Sequence, residues 1–431
     1  MKVKPAGSLQ GIVELPGDKS ISHRAAIIAA IADGTSQFEG FAASADCTST
    51  LDCLRSLGVE IRRDGSTVFI DGVGKFGLKK SEAPLDCGNS GTTMRLLAGI
   101  LAGQRFKSIL TGDESLVKRP MRRIIEPLEQ MGATITSDDG TAPLTIHGRY
   151  PLRAIAYHTP VASAQIKSCV LFAGLYANGE TSTVEPSLTR DHTERLLTLF
   201  GVRVGTDGGP ASKVRYIKGT SRPTAAEFSI PCDISSAAFF LVAAACLPGS
   251  ELTLPNVGTN PTRTAILDVL ECVGAKLSPR KEVERKGEPT ETLTITGGLD
   301  EQEAPLVIEG GAVADLIDEI PILAILGTQL ANGLEVRDAG ELRVKESDRI
   351  HSVTENLRRM GANVTEFDDG FHVERSHLKG AVIDSFGDHR IAMAFAVAGL
   401  LADGETEIVG AECADVSFPG FFETLASVVK S

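Results

Sequence analysis

Long apolar runs recur along the chain, each opening beside small or charged residues. AAIIAAIA follows PGDKSISHR (16–24), TTMRLLAGILAG follows CGNSG, SSAAFFLVAAACL fills 235–247, and the run in SFGDHRIAMAFAVAG (385–399) follows Asp388, His389 and Arg390. These runs are apolar around most of a helical circumference, which predicts helices buried on most sides. Short turn-bounded runs such as STVFIDG and APLTIHG lie between them and predict strands.

A second pattern repeats. LRSLGVEI (54–61), LEQMGATI (128–135), LTLFGVRV (197–204), LECVGAKL (270–277) and LRRMGANV (357–364) each read as the last turn of an amphipathic helix, a glycine, and the opening of a strand. A helix commonly ends on a left-handed residue, a conformation that glycine reaches without strain. Gly58, Gly132, Gly201, Gly274 and Gly361 recur about every seventy residues, and the terminal FFETLASVV has the helical pattern without the glycine. Six such units would fill the 431 residues, so an α/β protein made by duplication is expected. That length also predicts more than one domain.

Composition narrows the class. The hydrophobic share of 42% and charged share of 23% are those of a soluble globular protein. The longest apolar run is too short to span a bilayer, and MKVKPAGSLQG lacks the apolar segment of a secretion signal. The eight cysteines form no CxxC pair and no zinc-ligand spacing, as for reduced thiols in the cytoplasm. A net charge of -13 argues against nucleic acid or an anionic membrane as partner. It leaves small anions open, because local clusters hold those.

Such clusters exist. Lys19 and Arg24 stand at the mouth of a predicted helix, where the free N–H groups already favour an anion. In DCGNSGTTMRLL (86–97) small residues precede a helix expected to start near Thr92 or Thr93, leaving room for a ligand at the backbone. An ordinary cap and turn would read the same. In GDESLVKRPMRR (112–123), Pro120 biases Arg119 toward an extended conformation. In ELRVKESDRI (341–350), Lys345 and Arg349 would repel each other if both were helical, unless Glu346, Asp348 or a bound anion relieved them. ADLIDEIPILAIL (314–326) places Asp315, Asp318 and Glu319 ahead of an apolar helix, as caps or as a general base. GVGKFG (72–77) is not followed by a helix, and no P-loop, GxSxG or HExxH occurs.

Taken in order, PGDKSISHR, GNSGTTMR, GDESLVKRPM, SAQIKS, DEIP, RVKESDR and DHRIAM resemble the EPSP synthases (3-phosphoshikimate 1-carboxyvinyltransferases) of the enolpyruvyl transferase family, over nearly the whole chain. The resemblance implies a two-domain inside-out α/β barrel fold with three α/β units per domain. One domain would comprise residues 19–234, the other residues 1–18 and 235–431, with the active site in the cleft between them. It also implies a cytoplasmic monomer that joins the enolpyruvyl group of phosphoenolpyruvate to the 5-hydroxyl of shikimate 3-phosphate without a cofactor or metal. By the same resemblance Asp318, Glu346 and Lys19 are catalytic. Lys19, Ser20, Arg24, Ser163, Ala164, Gln165, Arg190, Asp318 and Lys345 would bind shikimate 3-phosphate. Lys19, Asn89, Gly91, Arg119, Gln165, Arg349 and Arg390 would bind phosphoenolpyruvate, whose site glyphosate would occupy. Two positions depart from some family members: Ala164 replaces a serine and Val416 a lysine. The sister family that uses UDP-N-acetylglucosamine carries in most members a cysteine in the loop matching 112–120, which has none here.

Overall fold

The computed structural model describes residues 1–207, 212–278 and 287–430. Contacts divide the chain into two compact units. The inserted unit is Gly17–Ile230 with Arg285–Glu288, and the outer unit is Met1–Pro16 with Pro231–Glu284 and Pro289–Ser431. The boundaries between the units fall after Pro16 and after Ile230. The reason is local: Asp18 and Asp233 cap the helices that follow, and each travels with its helix.

Six apolar helices form the two centres. In the inserted unit these are α1 (Lys19–Ala30), α2 (Gly91–Ala102) and α3 (Ala164–Gly174). In the outer unit they are α4 (Ile234–Cys246), α5 (Ile320–Gly327) and α6 (His389–Leu401). Every residue of α5 is buried, as is α4 from Ile234 to Ala245, which matches helices apolar on all faces. Phe239 and Phe240 of α4 both meet the Phe421 ring at centroid distances of 5.7 Å. Burial of each such ring contributes about 1.5–3 kcal/mol. Each unit has its own apolar core.

The sheets lie around these helices and share one plan. In the inserted unit, Asp33–Glu39 pairs antiparallel with Thr67–Val73, which pairs antiparallel with Glu60–Asp64. Lys107–Thr111, Thr141–His147 and Thr134–Asp138 repeat this arrangement, and so do Glu180–Val184, Val214–Lys218 and Gly205–Thr206. Each sheet gains a parallel fourth strand from the repeat before it: Leu85–Asp86 joins the second and Ala156–His158 the third. Glu227–Ser229, at the end of the third repeat, joins the first and completes the ring.

The outer unit follows the same plan with one difference. Leu306–Ile308 and Val382–Asp384 are lent forward in parallel to Leu334–Val336 and Thr406–Val409. The sixth repeat takes its closing strands from the start of the chain. Lys2–Val3 pairs with Thr406–Val409, and Ser8–Ile12 lies parallel to Glu251–Gly258. The expected six units are therefore three per compact unit, with separate sheets outside apolar helices. The five repeat glycines have φ between 76° and 100°, so the left-handed helix ends hold at every copy. The sixth helix, Phe421–Val428, runs directly into strand Val429–Lys430 and needs no glycine.

Candidate active site

In the inserted unit the site residues gather at the helix starts. The Asp18 side chain accepts from the Ile21 N–H at 2.8 Å and so caps α1. Lys19, the first helical residue, lies 3.0 Å from Asp46 Oδ2. Arg24, one turn on, is buried and donates to the Thr193 hydroxyl at 2.7 Å, the Ser168 hydroxyl at 3.1 Å and the Ser20 carbonyl at 2.9 Å. These bonds fix its guanidinium in one orientation. His23 is buried against the Thr50 hydroxyl at 2.6 Å. Burial first, then the charges of Lys19 and Arg24, hold its imidazole well below the usual histidine range, which makes it a neutral core residue.

The helix α2 begins at Gly91, earlier than Thr92, because Ser90 accepts from the Thr93 N–H at 3.1 Å and acts as its cap. Arg119 is extended at φ -76°, ψ 143°, as its place before Pro120 requires, and donates to Asn89 Oδ1 at 2.6 Å. A methyl group on Gly91 would meet Arg95 Nη1 at 2.7 Å and Arg119 Nη1 at 3.6 Å. Arg95 also donates to Gln165 Oε1 at 2.8 Å, and Gln165 donates to the Thr92 hydroxyl at 2.9 Å. Gly91, Arg119 and Gln165 thus come together around Arg95, a residue to which the resemblance assigns no role. Its spacing of four from Gly91 at the start of a helix was the available signal. Asp46 had no such signal.

Ser163 caps α3 through a bond from the Ile166 N–H, and Ala164 is the first helical residue. Arg190 is half-buried just before the helix His192–Leu199. The segment ahead of it is held by Lys167, wholly buried and 3.0 Å and 2.8 Å from Glu185 and Glu194.

In the outer unit the residues converge on Arg349, the first residue of a helix capped by Asp348. Only 1% of Arg349 is exposed. Its Nε donates to Asp388 at 2.8 Å, Nη2 to Glu346 at 2.7 Å and Nη1 to Asp318 at 3.4 Å. Burial alone would lower its pKa, but the carboxylates of Asp388, Glu346 and Asp318 outweigh that and raise it. Arg390 donates to the Asp318 carbonyl at 2.8 Å and lies 3.6 Å from its carboxylate. Asp318 therefore faces two guanidinium groups, and Glu346 shares one of them.

Lys345 and Arg349 do not form a like-charged helical pair. Lys345 is extended, after the short helix Gly340–Val344, and Arg349 opens the next helix. Burial, opposed by Asp318 and reinforced by Arg349, lowers the Lys345 pKa below that of an ordinary lysine. Asp388 caps α6 and pairs with Arg349. Of the two departures, Val416 ends the turn Ala411–Val416 and is half-buried. The sequence GVGKFG ends strand Thr67–Val73 and then turns, and Lys75 in that turn donates to the carbonyls of Gly219 and Ser221.

Residues 3–425 match the family described as EPSP synthase (3-phosphoshikimate 1-carboxyvinyltransferase). This chain belongs to the EPSP synthase family. The 3-phosphoshikimate 1-carboxyvinyltransferase of Koribacter versatilis is 52% identical over 100% of this chain and 99% of its own length. That of Brevibacillus brevis is 48% identical over 99% of each. The solved EPSP synthase of Acinetobacter baumannii superposes with a TM-score of 0.86 at 42% identity, covering 99% of this chain and 98% of that one. The EPSP synthase family thus accounts for the whole mixed α/β chain. Among the described residues, no helix is long and apolar enough to cross a membrane.

Proposed function

We propose that this EPSP synthase family member transfers the enolpyruvyl group of phosphoenolpyruvate to the 5-hydroxyl of shikimate 3-phosphate. The observation that carries the chemistry is the placement of Asp318 and Glu346 on one guanidinium, that of Arg349. Two carboxylates held in place can supply a base and an acid for one reaction. Asp318 takes the proton of the 5-hydroxyl as its oxygen bonds to C2 of phosphoenolpyruvate. Glu346, with Lys19, delivers a proton to the methylene carbon, which becomes a methyl. The resulting tetrahedral intermediate loses a proton from that methyl, the C2–C3 double bond re-forms, and phosphate leaves.

The cations divide by role in this reading. Lys19, Ser20, Arg24, Ser163, Gln165, Arg190 and Lys345 hold shikimate 3-phosphate, and the hydroxyl that Ala164 lacks is not replaced at that position. Asn89, Gly91, Arg119, Arg349 and Arg390 hold phosphoenolpyruvate, with Gln165 and Lys19 touching both. The planar fork of arginine suits carboxylate and phosphate recognition. Glyphosate competes at the phosphoenolpyruvate site. The enzyme works as a monomer in the cytoplasm, with no metal or organic cofactor.

Phosphate release from phosphoenolpyruvate tests this directly, with shikimate 3-phosphate, with UDP-N-acetylglucosamine, and with neither. Release with shikimate 3-phosphate alone is expected. Release only with the sugar nucleotide would overturn the acceptor.

A further inference from the structure

Asp318 is followed by a second carboxylate, itself buried and hydrogen-bonded. Glu319 is 1% exposed and accepts a short hydrogen bond from the Ser235 hydroxyl. That hydroxyl in turn accepts from Arg263 Nη2 at 2.6 Å. The same Arg263 nitrogen lies 3.9 Å from Glu319 Oε1 and 3.6 Å from Asp233 Oδ1. Ser235 and Arg263 are each 3% exposed. A buried carboxylate costs stability unless it is paired and hydrogen-bonded, and a hydrophobic side chain of similar size often packs as well. This cluster therefore invites a reason beyond stability.

Its position supplies one. Glu319 stands at the entrance of α5: its N–H donates to the Leu316 carbonyl at 2.8 Å and its carbonyl accepts from Leu323 at 2.9 Å. Ser235 lies in the first turn of α4, which Asp233 caps. Arg263 therefore joins the first turn of α4 to the entrance of α5. Ile317 and Asp318 connect the preceding helix Gly311–Leu316 to that entrance, and the Asp318 carbonyl accepts from Arg390 at 2.8 Å. Both neighbouring residues are thus held, Glu319 by Ser235 with Arg263 nearby, and Asp318 by Arg349 and Arg390. Rotation of the turn would break both sets of bonds.

We infer that Arg263, Ser235 and Glu319 form a positioning clamp that sets the orientation of Asp318 for proton abstraction. They touch no reacting atom. The inference rests on the reading of Asp318 as the base. Arg263, which lies outside the sequence motifs, thereby gains a role.

The test compares Glu319→Ala, Glu319→Gln, Ser235→Ala and Arg263→Lys with Asp318→Asn, in the full-length enzyme, by phosphate release and by direct binding of shikimate 3-phosphate. Glu319→Ala should lower kcat on the order of 10²-fold, the usual cost of a slight misplacement of a catalytic group. Binding of shikimate 3-phosphate should change far less. Glu319→Gln still accepts from Ser235 and should recover most of the loss, while Ser235→Ala, the mildest truncation, should show a smaller loss of the same kind. Because the clamp acts through Asp318, Glu319→Ala should cost little further when added to Asp318→Asn. Wild-type kcat in folded Glu319→Ala and Ser235→Ala, or an undiminished loss in the Asp318→Asn background, would overturn the clamp alone. Wild-type turnover by Asp318→Asn would overturn the base and the clamp together.

Discussion

Arg349 and Asp388 form a buried ion pair at 2.8 Å, with 2% and 0% of their side chains exposed. Asp388 also accepts from the Arg390 N–H at 2.9 Å as the cap of α6. One carboxylate thus seats a core helix and holds the guanidinium that faces Asp318 and Glu346. Removing Asp388 uncaps α6 and takes from the buried Arg349 its most buried partner, leaving Glu346 at 2.7 Å and the longer Asp318 contact at 3.4 Å. Asp388→Ala should therefore destabilise the outer unit by about 3–5 kcal/mol, measured by urea unfolding. A loss under about 1 kcal/mol, the range of exposed pairs, would mean that the pair is not buried in solution.

The same pair sets an acid limit. Burial pushes the Asp388 carboxyl up, but Arg349 outweighs it and holds the pKa below the usual aspartate value. A depressed folded-state pKa contributes stability that is present above the unfolded value and is lost as pH falls through the folded one. Stability should therefore fall on acidification below about pH 4. Part of that slope should vanish in Asp388→Asn, whose side chain does not titrate. Parallel stability-versus-pH curves for the two proteins would remove Asp388 from the account.

Asp318→Asn and Glu346→Gln should each lower turnover by about 10²–10⁴-fold, the usual contribution of a general acid or base. Binding of shikimate 3-phosphate should survive in Glu346→Gln, since Arg349 keeps Asp388 and Asp318 as partners. Normal turnover by Glu346→Gln would exclude it from the proton transfer.

Gly91 offers a steric test. Its added methyl would press on Arg95 at 2.7 Å and stand 3.6 Å from Arg119. Arg95 sits at the end of a flexible chain and can yield, so Gly91→Ala should fold. It should raise KM for phosphoenolpyruvate several-fold and weaken competition by glyphosate further still. Unchanged inhibition would take Gly91 out of that pocket.

Local features were legible in the sequence because local forces set them. The five glycine helix ends and the extended Arg119 follow from backbone sterics within a few residues. The helix α2 starts at Gly91, ahead of the expected Thr92 or Thr93, because Ser90 makes the cap. What could not be read joins distant positions. No periodicity says that Glu227–Ser229 returns to Asp33–Glu39, or that Lys2–Val3 completes the sixth repeat. Glu346 was a visible local partner for Arg349, three residues away, but Asp318 and Asp388, which also face it, come from distant segments. Arg95 finds Gln165 and Glu319 finds Ser235 only after the core helices pack.

Lys345 gives the last prediction. Burial lowers its pKa, Asp318 opposes that and Arg349 adds to it, so it loses its proton before an ordinary lysine does. If its ammonium faces shikimate 3-phosphate, affinity should decline as pH rises through the alkaline range below about 10.4, the usual lysine value. A bound anion favours the charged form, so binding in that range should be accompanied by proton uptake. Arginine stays charged throughout, and Lys345→Arg should carry binding to higher pH even if its geometry lowers the affinity overall. Lys345→Met should bind weakly with a flatter profile. Calorimetric titrations in buffers of different ionisation enthalpy would measure the affinity and the protons together. Coincident pH profiles for wild type and Lys345→Arg would show that another group sets the alkaline limit.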